Sequence, residues 1–297
     1  VKDLPAIEEI LKGIAGDNRS GAAEILSRAA EIFQLLSLEP KPASIEEARD
    51  ALSQICAALV GAQPNMAPLL NMTRAALNAA SSASTADQVI SAASEAARDF
   101  VNWARRAAER AAQHAAQLIT DGTIVLTHSR SSTVLSSFVL AKRAGRRFRV
   151  IATESRPLLE GRALALELAG ENIQVAIIAD AAAALALEQT DLILVGADKI
   201  TPNSLINKIG TRMMALAARE QGRPIYAICD GSKFTSATVA AEEPRSPAEL
   251  WPDPPPEIAI INRYFEPTPL SLFAGIITEE GKLSPEVASR RAMRVKY

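Results

Sequence analysis

The chain has 297 residues, 48% of them hydrophobic and 22% charged, which is enough for one large domain or two of ordinary size with a substantial core. Its 32 basic and 34 acidic side chains leave a formal charge of -2, so neither direct nucleic-acid binding nor a membrane surface is expected as its main business. Cys56 and Cys229 lie far apart in apolar contexts, without disulfide or zinc spacing, and no run approaches the roughly 20 apolar residues that span a bilayer. A cytoplasmic protein with no metal, signal peptide or membrane segment is the expectation.

Up to about residue 118 the apolar residues recur at three- and four-residue spacing, broken at 39–43 (EPKPA) and around Pro64 and Pro68. This predicts a helical N-terminal domain over 1–118 that ends in a long Ala-rich connecting helix. Ser81 to Asp87 (SSASTAD) is small and polar and reads as a loop leading into a helix start. Beyond Gly122 the pattern changes: TIVLT, FRVIAT, IQVAII, DLILVG and PIYAIC are short, nearly continuous apolar runs separated by helical stretches. Such runs belong to a parallel sheet covered on both faces, so 119–297 is expected to be a doubly wound, mostly parallel Rossmann-like α/β domain. In such sheets ligands sit beyond the carboxyl ends of the strands.

The polar residues at those ends are therefore the candidates. After the first strand, Thr127-His128-Ser129-Arg130-Ser131-Ser132 places hydroxyls, a guanidinium and free N–H groups at a helix start, a natural anion site; the alternative is that Ser131 or Ser132 merely caps the helix. After the second, Glu154 and Arg156 either read sugar hydroxyls or pair with each other. Asp180 reads as a helix N-cap, with a site role as the alternative. Asp198 stands at the mouth of DLILVG, where partial burial raises a carboxyl pKa toward the acid/base range, with a turn role as the alternative. Asn207 and Lys208, in LINKIGT, offer an amide and a cation for phosphate, and Lys233 a second cation. His128 fits a strand-end residue held by a backbone bond better than a hydrolase histidine, and His114 reads as structural. No G-x-G-x-x-G or G-x-x-x-x-G-K motif is present.

Together DGTIVLTHSRSS, VIATESRPLLEG, DLILVGADKI, INKIGT and NRYFEPTPLSLFAGIITEEG resemble, in order, the family that unites methylthioribose-1-phosphate isomerase, ribose-1,5-bisphosphate isomerase and the α, β and δ subunits of eukaryotic translation initiation factor 2B. The likeness covers the α/β region almost end to end, and Asn18-Arg19-Ser20-Gly21-Ala22 resembles the family's N-terminal phosphate-binding stretch. The resemblance implies conversion of an aldose 1-phosphate to a ketose by a cysteine and an aspartate, with no cofactor, in a homodimer or higher homo-oligomer. Asp198 matches the aspartate. Ser129 stands where the cysteine is implied, and Gln63 where the isomerases tend to carry an arginine; the 198–207 loop looks one residue shorter. A thiol of pKa near ~8.5 exchanges protons at neutral pH, whereas a serine hydroxyl needs help.

Two readings follow. The first and favoured one is a non-catalytic sensor or regulator that binds a phosphorylated ribose or a nucleotide in an isomerase-like pocket. The second is an aldose–ketose isomerase of a ribose 1-phosphate, methylthioribose 1-phosphate or ribose 1,5-bisphosphate, with Asp198 as its acid/base group and Ser129 orienting the substrate. Both use Arg19, Ser20, Gly21, Arg130, Ser131, Ser132, Glu154, Asn207, Lys208 and Lys233 for the ligand.

Overall fold

The computed structural model describes residues 5–17, 20–38, 42–236 and 245–295. Its contacts divide the chain into two compact units, one up to Arg106 and one from Ala107 onward. The division falls inside a helix, whereas the sequence pattern set the boundary at the end of that helix near 118.

The first unit is helical: α1 (Pro5–Ala15), α2 (Ala22–Leu38), α3 (Ile45–Ala62), α4 (Ala67–Ser81) and the first part of α5 (Ala86–Ala116). Helix starts follow from local chemistry. Ser44 accepts the N–H of Glu47 while the Glu47 carboxylate accepts that of Ala43. Ahead of α5, Thr85 Oγ1 accepts the Gln88 N–H while the Gln88 side-chain oxygen accepts that of Ser84, so orphan N–H groups are satisfied on both sides of each start. Ile25, Phe33, Leu52, Leu59, Leu69 and Met72 interlock beneath them, each burial contributing about 1.5–3 kcal/mol.

In the second unit a seven-stranded sheet has the order β10-β9-β7-β4-β1-β2-β3. Its parallel strands are β1 (Ile124–His128), β2 (Arg149–Thr153), β3 (Gln174–Ile178), β4 (Leu192–Val195), β7 (Ile225–Ile228) and β9 (Gly275–Thr278). β10 (Gly281–Leu283) runs antiparallel at one edge. Helices α6 (Ser132–Arg143), α7 (Glu160–Gly170), α8 (Ala183–Ala186), α9 (Thr211–Glu220) and α10 (Pro285–Arg294) complete the layers. Alternation along the central strands feeds two cores: Leu126, Ile193 and Val195 join one, Val125, Leu192 and Leu194 the other. The five strands expected from sequence all form, although β3 is an edge strand with Ile177 47% exposed rather than a covered one. A second, three-stranded antiparallel sheet, β5 (Lys199–Ile200), β6 (Ser204–Lys208) and β8 (Phe265–Pro269), was not expected. Among the described residues no helix is long and apolar enough to cross a membrane.

This strand order has one reversal, and it singles out one place on the sheet. From β1 the chain moves outward through β2 to β3, then returns past β1 to β4 and on to β7 and β9. The reversal lies between β1 and β4, and their carboxyl ends open the crevice that doubly wound sheets use.

Candidate functional site

At the end of β1, His128 is buried and doubly bonded: Nε2 lies 2.8 Å from the Ile209 carbonyl oxygen and Nδ1 2.6 Å from Thr153 Oγ1. A carbonyl only accepts, so Nε2 carries the proton and Nδ1 accepts from the threonine. Burial lowers the imidazole pKa and keeps it neutral. His128 is thus a strut, and Gly210 is the glycine that admits it: a Cβ there would lie 3.0 Å from Nε2.

Ser129 follows in the left-handed region (φ 65°), its N–H donating to Ser155 Oγ at 2.7 Å. Ser155 is buried, also left-handed (φ 63°), and donates its own N–H to Asp180 Oδ1, while Arg156 N–H reaches Asp180 Oδ2, both at 2.7 Å. Asp180 is therefore no helix N-cap: Ala179 occupies that place, and the carboxylate clamps the β2 turn against the β1 loop. Ser131 caps α6 by accepting the Val134 N–H, and exposed Ser132 opens the helix, whose first N–H groups have no intrahelical acceptor.

The end of β4 closes on this loop. A Cβ on Gly196 would stand 2.7 Å from Ser131 Cβ and 3.9 Å from Asn207 Oδ1, so the missing side chain lets three segments meet. Asn207 is held by donating to Thr211 Oγ1 at 3.0 Å. Two residues past Gly196, Asp198 is half-buried by surface yet enclosed by protein on most sides. Its pKa is raised by that burial, against the pull of Lys233 and Lys208, so desolvation wins over two cations. Lys208 is 3% exposed, lies 4.7 Å from the centre of the Tyr264 ring, and meets Glu160 Oε1 at 2.5 Å. Lys233, at the end of a short turn after β7, is also buried.

Ser129, Ser131, Ser132, Asp198, Asn207, Lys208 and Lys233 thus share one edge of the sheet, around the crevice. Arg130 is engaged by Glu167 (2.8 Å) and Glu154 by Arg162 (2.8 Å), so the pair foreseen between Glu154 and Arg156 does not form; Arg156 reaches the carbonyls of Glu249 and Leu250 instead. In the first unit the Ser20 N–H is bound by Asp17 Oδ1, Gly21 precedes α2, and Gln63 ties the Ile14 and Asp17 carbonyls at 2.9 and 3.0 Å. Arg19 lies outside the described residues. His114, as expected of a structural residue, bonds the Thr278 carbonyl at 2.8 Å.

Sequence reasoning missed Glu160, Ser155 and Glu266. Glu266 accepts the N–H groups of Gly210 and Arg212 at 2.7 and 2.8 Å, so a carboxylate already covers the start of α9. Only Glu160 carried a signal, an acid opening a helix just after the strand-end loop VIATESRP.

The Initiation factor 2 subunit family matches residues 18–285 of the chain. Ribose 1,5-bisphosphate isomerase of Thermococcus kodakarensis is 32% identical over 302 residues, covering 97% of this chain and 93% of the relative. A putative translation initiation factor eIF-2B subunit 2-like protein of Pyrococcus horikoshii is 34% identical, covering 93% and 96%. The crystal structure of the P. horikoshii translation initiation factor eIF-2B superposes with a TM-score of 0.81 at 31% identity, covering 95% of this chain and 98% of that one. With a family match over residues 18–285 and relatives above 30% identity along nearly the whole chain, the chain belongs to the initiation factor 2 subunit family.

Proposed function

We propose that the chain is an aldose–ketose isomerase of a phosphorylated ribose, with ribose 1,5-bisphosphate as its substrate. The observation that carries this reading is Asp198, a carboxyl biased toward its protonated form at the mouth of β4, between two buried lysines. Full-length likeness to a protein named ribose 1,5-bisphosphate isomerase supports the substrate and favours catalysis over the sensor that the sequence alone suggested.

The reaction balances as two proton transfers around a hydride shift: the ring oxygen gains a proton as it takes the electron pair of its bond to C1, the hydrogen on C2 moves with its bonding pair to the electron-deficient C1, and the C2 hydroxyl gives up its proton as the ketone forms. Asp198 hands its proton to the ring oxygen and recovers one from the C2 hydroxyl. Ser129 orients the sugar. Ser131, Ser132, Asn207, Lys208 and Lys233 hold a phosphate, the cations by charge and the start of α6 by its N–H groups. Phosphate on the two lysines also offsets the cations that lower the Asp198 pKa, which acts in the same direction as its burial. A homodimer in the cytoplasm belongs to the same reading, and two buried free thiols fit a reducing compartment.

Ser129 keeps a second reading alive: without the thiol, the same pocket suits a sensor of phosphorylated ribose. One assay separates them. Wild-type protein and Asp198→Asn are incubated with ribose 1,5-bisphosphate, ketose formation is followed, and binding is measured by calorimetry. Turnover lost in the variant supports the isomerase; tight binding without turnover in the wild type supports the sensor.

A further inference from the structure

The opposite end of the sheet carries a second polar concavity. A cavity of about 440 Å³ opens at the amino ends of β2 and β3, lined by Gly122, Lys142, Arg146, Arg147 and Arg149 together with Asn172 and Gln174, over a floor of Phe148 and Ile173. Five-residue strands at about 3.3 Å per residue put it roughly 15 Å from the crevice at their carboxyl ends. The two do not share a residue.

Positions 142–149 hold five cations, four of them in the lining, out of keeping with a chain of net charge -2. The cavity lining contains no carboxylate, and among the described residues no ion pair involves these four side chains. Of the two acids flanking the lining in sequence, Asp121 accepts the Arg147 backbone N–H at 2.8 Å, and Glu171 precedes Asn172 at the end of α7. A bland account reaches only Lys142, in the last turn of α6, where a cation complements the helix dipole. Arg146, Arg147 and Arg149 lie beyond the helix and gain nothing from it. α7 also ends beside the cavity, at Gly170 just before Asn172, and the two helix ends together place about one negative charge there, still too little to occupy four cations.

We propose that this cavity binds a small polyphosphate, a molecule with two or more linked phosphoryl groups such as a nucleoside diphosphate. Guanidinium forks match phosphate oxygens, and linked phosphates supply enough charge to engage several at once. Amides from Asn172 and Gln174 at the rim suit the polar remainder of such a molecule, and the volume is that of a small-ligand site. Single-stranded RNA fits less well, since base recognition needs exposed aromatic faces and Phe148, the aromatic residue in the lining, is 8% exposed and stacked on Phe138.

The test is calorimetric titration of the full chain with tripolyphosphate, ADP, ribose 1,5-bisphosphate and a 12-nucleotide RNA at low and moderate salt. Wild-type protein and an Arg146→Gln/Arg147→Gln double variant are compared, the changes being on exposed side chains. The expected result is tripolyphosphate and ADP binding that weakens with salt and falls at least tenfold in the variant. Ribose 1,5-bisphosphate behaviour stays the same in both proteins, whether or not it is turned over. Equal tripolyphosphate affinity in the two proteins overturns the proposal. So does displacement of tripolyphosphate by ribose 1,5-bisphosphate, which would place both in the β1/β4 crevice. RNA binding tighter than ADP and lost in the same variant makes the basic rim a nucleic-acid surface and overturns it equally.

Discussion

Lys208 Nζ meets Glu160 Oε1 at 2.5 Å, joining the end of β6 to the first residue of α7 with side chains only 3% and 16% exposed. Glu160 holds the cation in place but also competes with any phosphate for it. Removing one member of a buried pair strands the other, at a cost of about 3–5 kcal/mol. Glu160→Gln and Lys208→Met are each expected to lower stability by that order in urea unfolding, and the double variant to recover a good part of the loss. Additive losses would show that the pair is not coupled.

This pair also marks the limit of what the sequence discloses. The parallel strands were legible because β1, β2, β4 and β7 are apolar runs ended by turn residues. β6 and β8 were not: SLINK alternates poorly, and Pro267 and Pro269 argue against a strand, yet β8 is the outer strand of its sheet, where a missing N–H is tolerated. Ser131, Asp198, Asn207 and Lys208 could be named as candidates because such positions gather at one edge of the sheet. Glu160 escaped and Asp180 was given the wrong role because their meaning depends on partners brought in by tertiary contact, and Arg130 and Glu154 look like ligand groups until Glu167 and Arg162 are seen to hold them.

The buried imidazole of His128 predicts an acid-side instability. Its folded pKa lies below the ordinary 6.5, so the unfolded chain binds more protons in the interval between the two values. Its contribution to stability is complete above about pH 6.5 and drains away as pH falls toward the folded pKa. Denaturation midpoints measured at pH 7.5 and 5.5 should therefore differ more in the wild type than in His128→Gln, even though the variant is weaker at both. Identical pH slopes would show that His128 is not the group responsible.

Gly196 allows the β4 end, Ser131 and Asn207 to approach one another. An added methyl would stand 2.7 Å from Ser131 Cβ and 2.9 Å from its Oγ, so Gly196→Ala must push the α6 start outward. A loss of about 1–3 kcal/mol is expected, the usual cost of overpacking, with phosphate affinity falling as the helix start moves. An alanine variant with unchanged stability and unchanged binding of the sugar bisphosphate would refute this tight approach.

Ser129 separates backbone strain from chemistry. Its φ of 65° disfavours any side chain by about 1–2 kcal/mol, so Ser129→Gly should stabilise the fold by up to roughly 1 kcal/mol. Turnover should not benefit, because the group that orients the sugar is gone. Ser129→Cys keeps the backbone and adds a group of accessible pKa, and is expected to raise isomerase turnover at least about tenfold at pH 8. A cysteine variant no faster than the wild type would assign the proton work to Asp198 alone.

Asp198→Asn brings stability and activity into opposition. A carboxyl whose folded pKa is raised binds its proton more tightly in the folded chain, so its contribution is full below the unfolded value of 3.8 and is lost as pH rises through the folded pKa. The neutral asparagine escapes that loss. At pH 7 the variant should unfold at higher denaturant concentration than the wild type, and the gap should narrow toward pH 4. If Asp198 carries the protons, the same substitution should cut isomerase turnover by about 10² to 10⁴ while leaving binding of the sugar bisphosphate largely intact. A variant that is no more stable at pH 7 would mean that Asp198 is solvated in the folded protein, and the case for a protonated acid at the mouth of β4 would go with it.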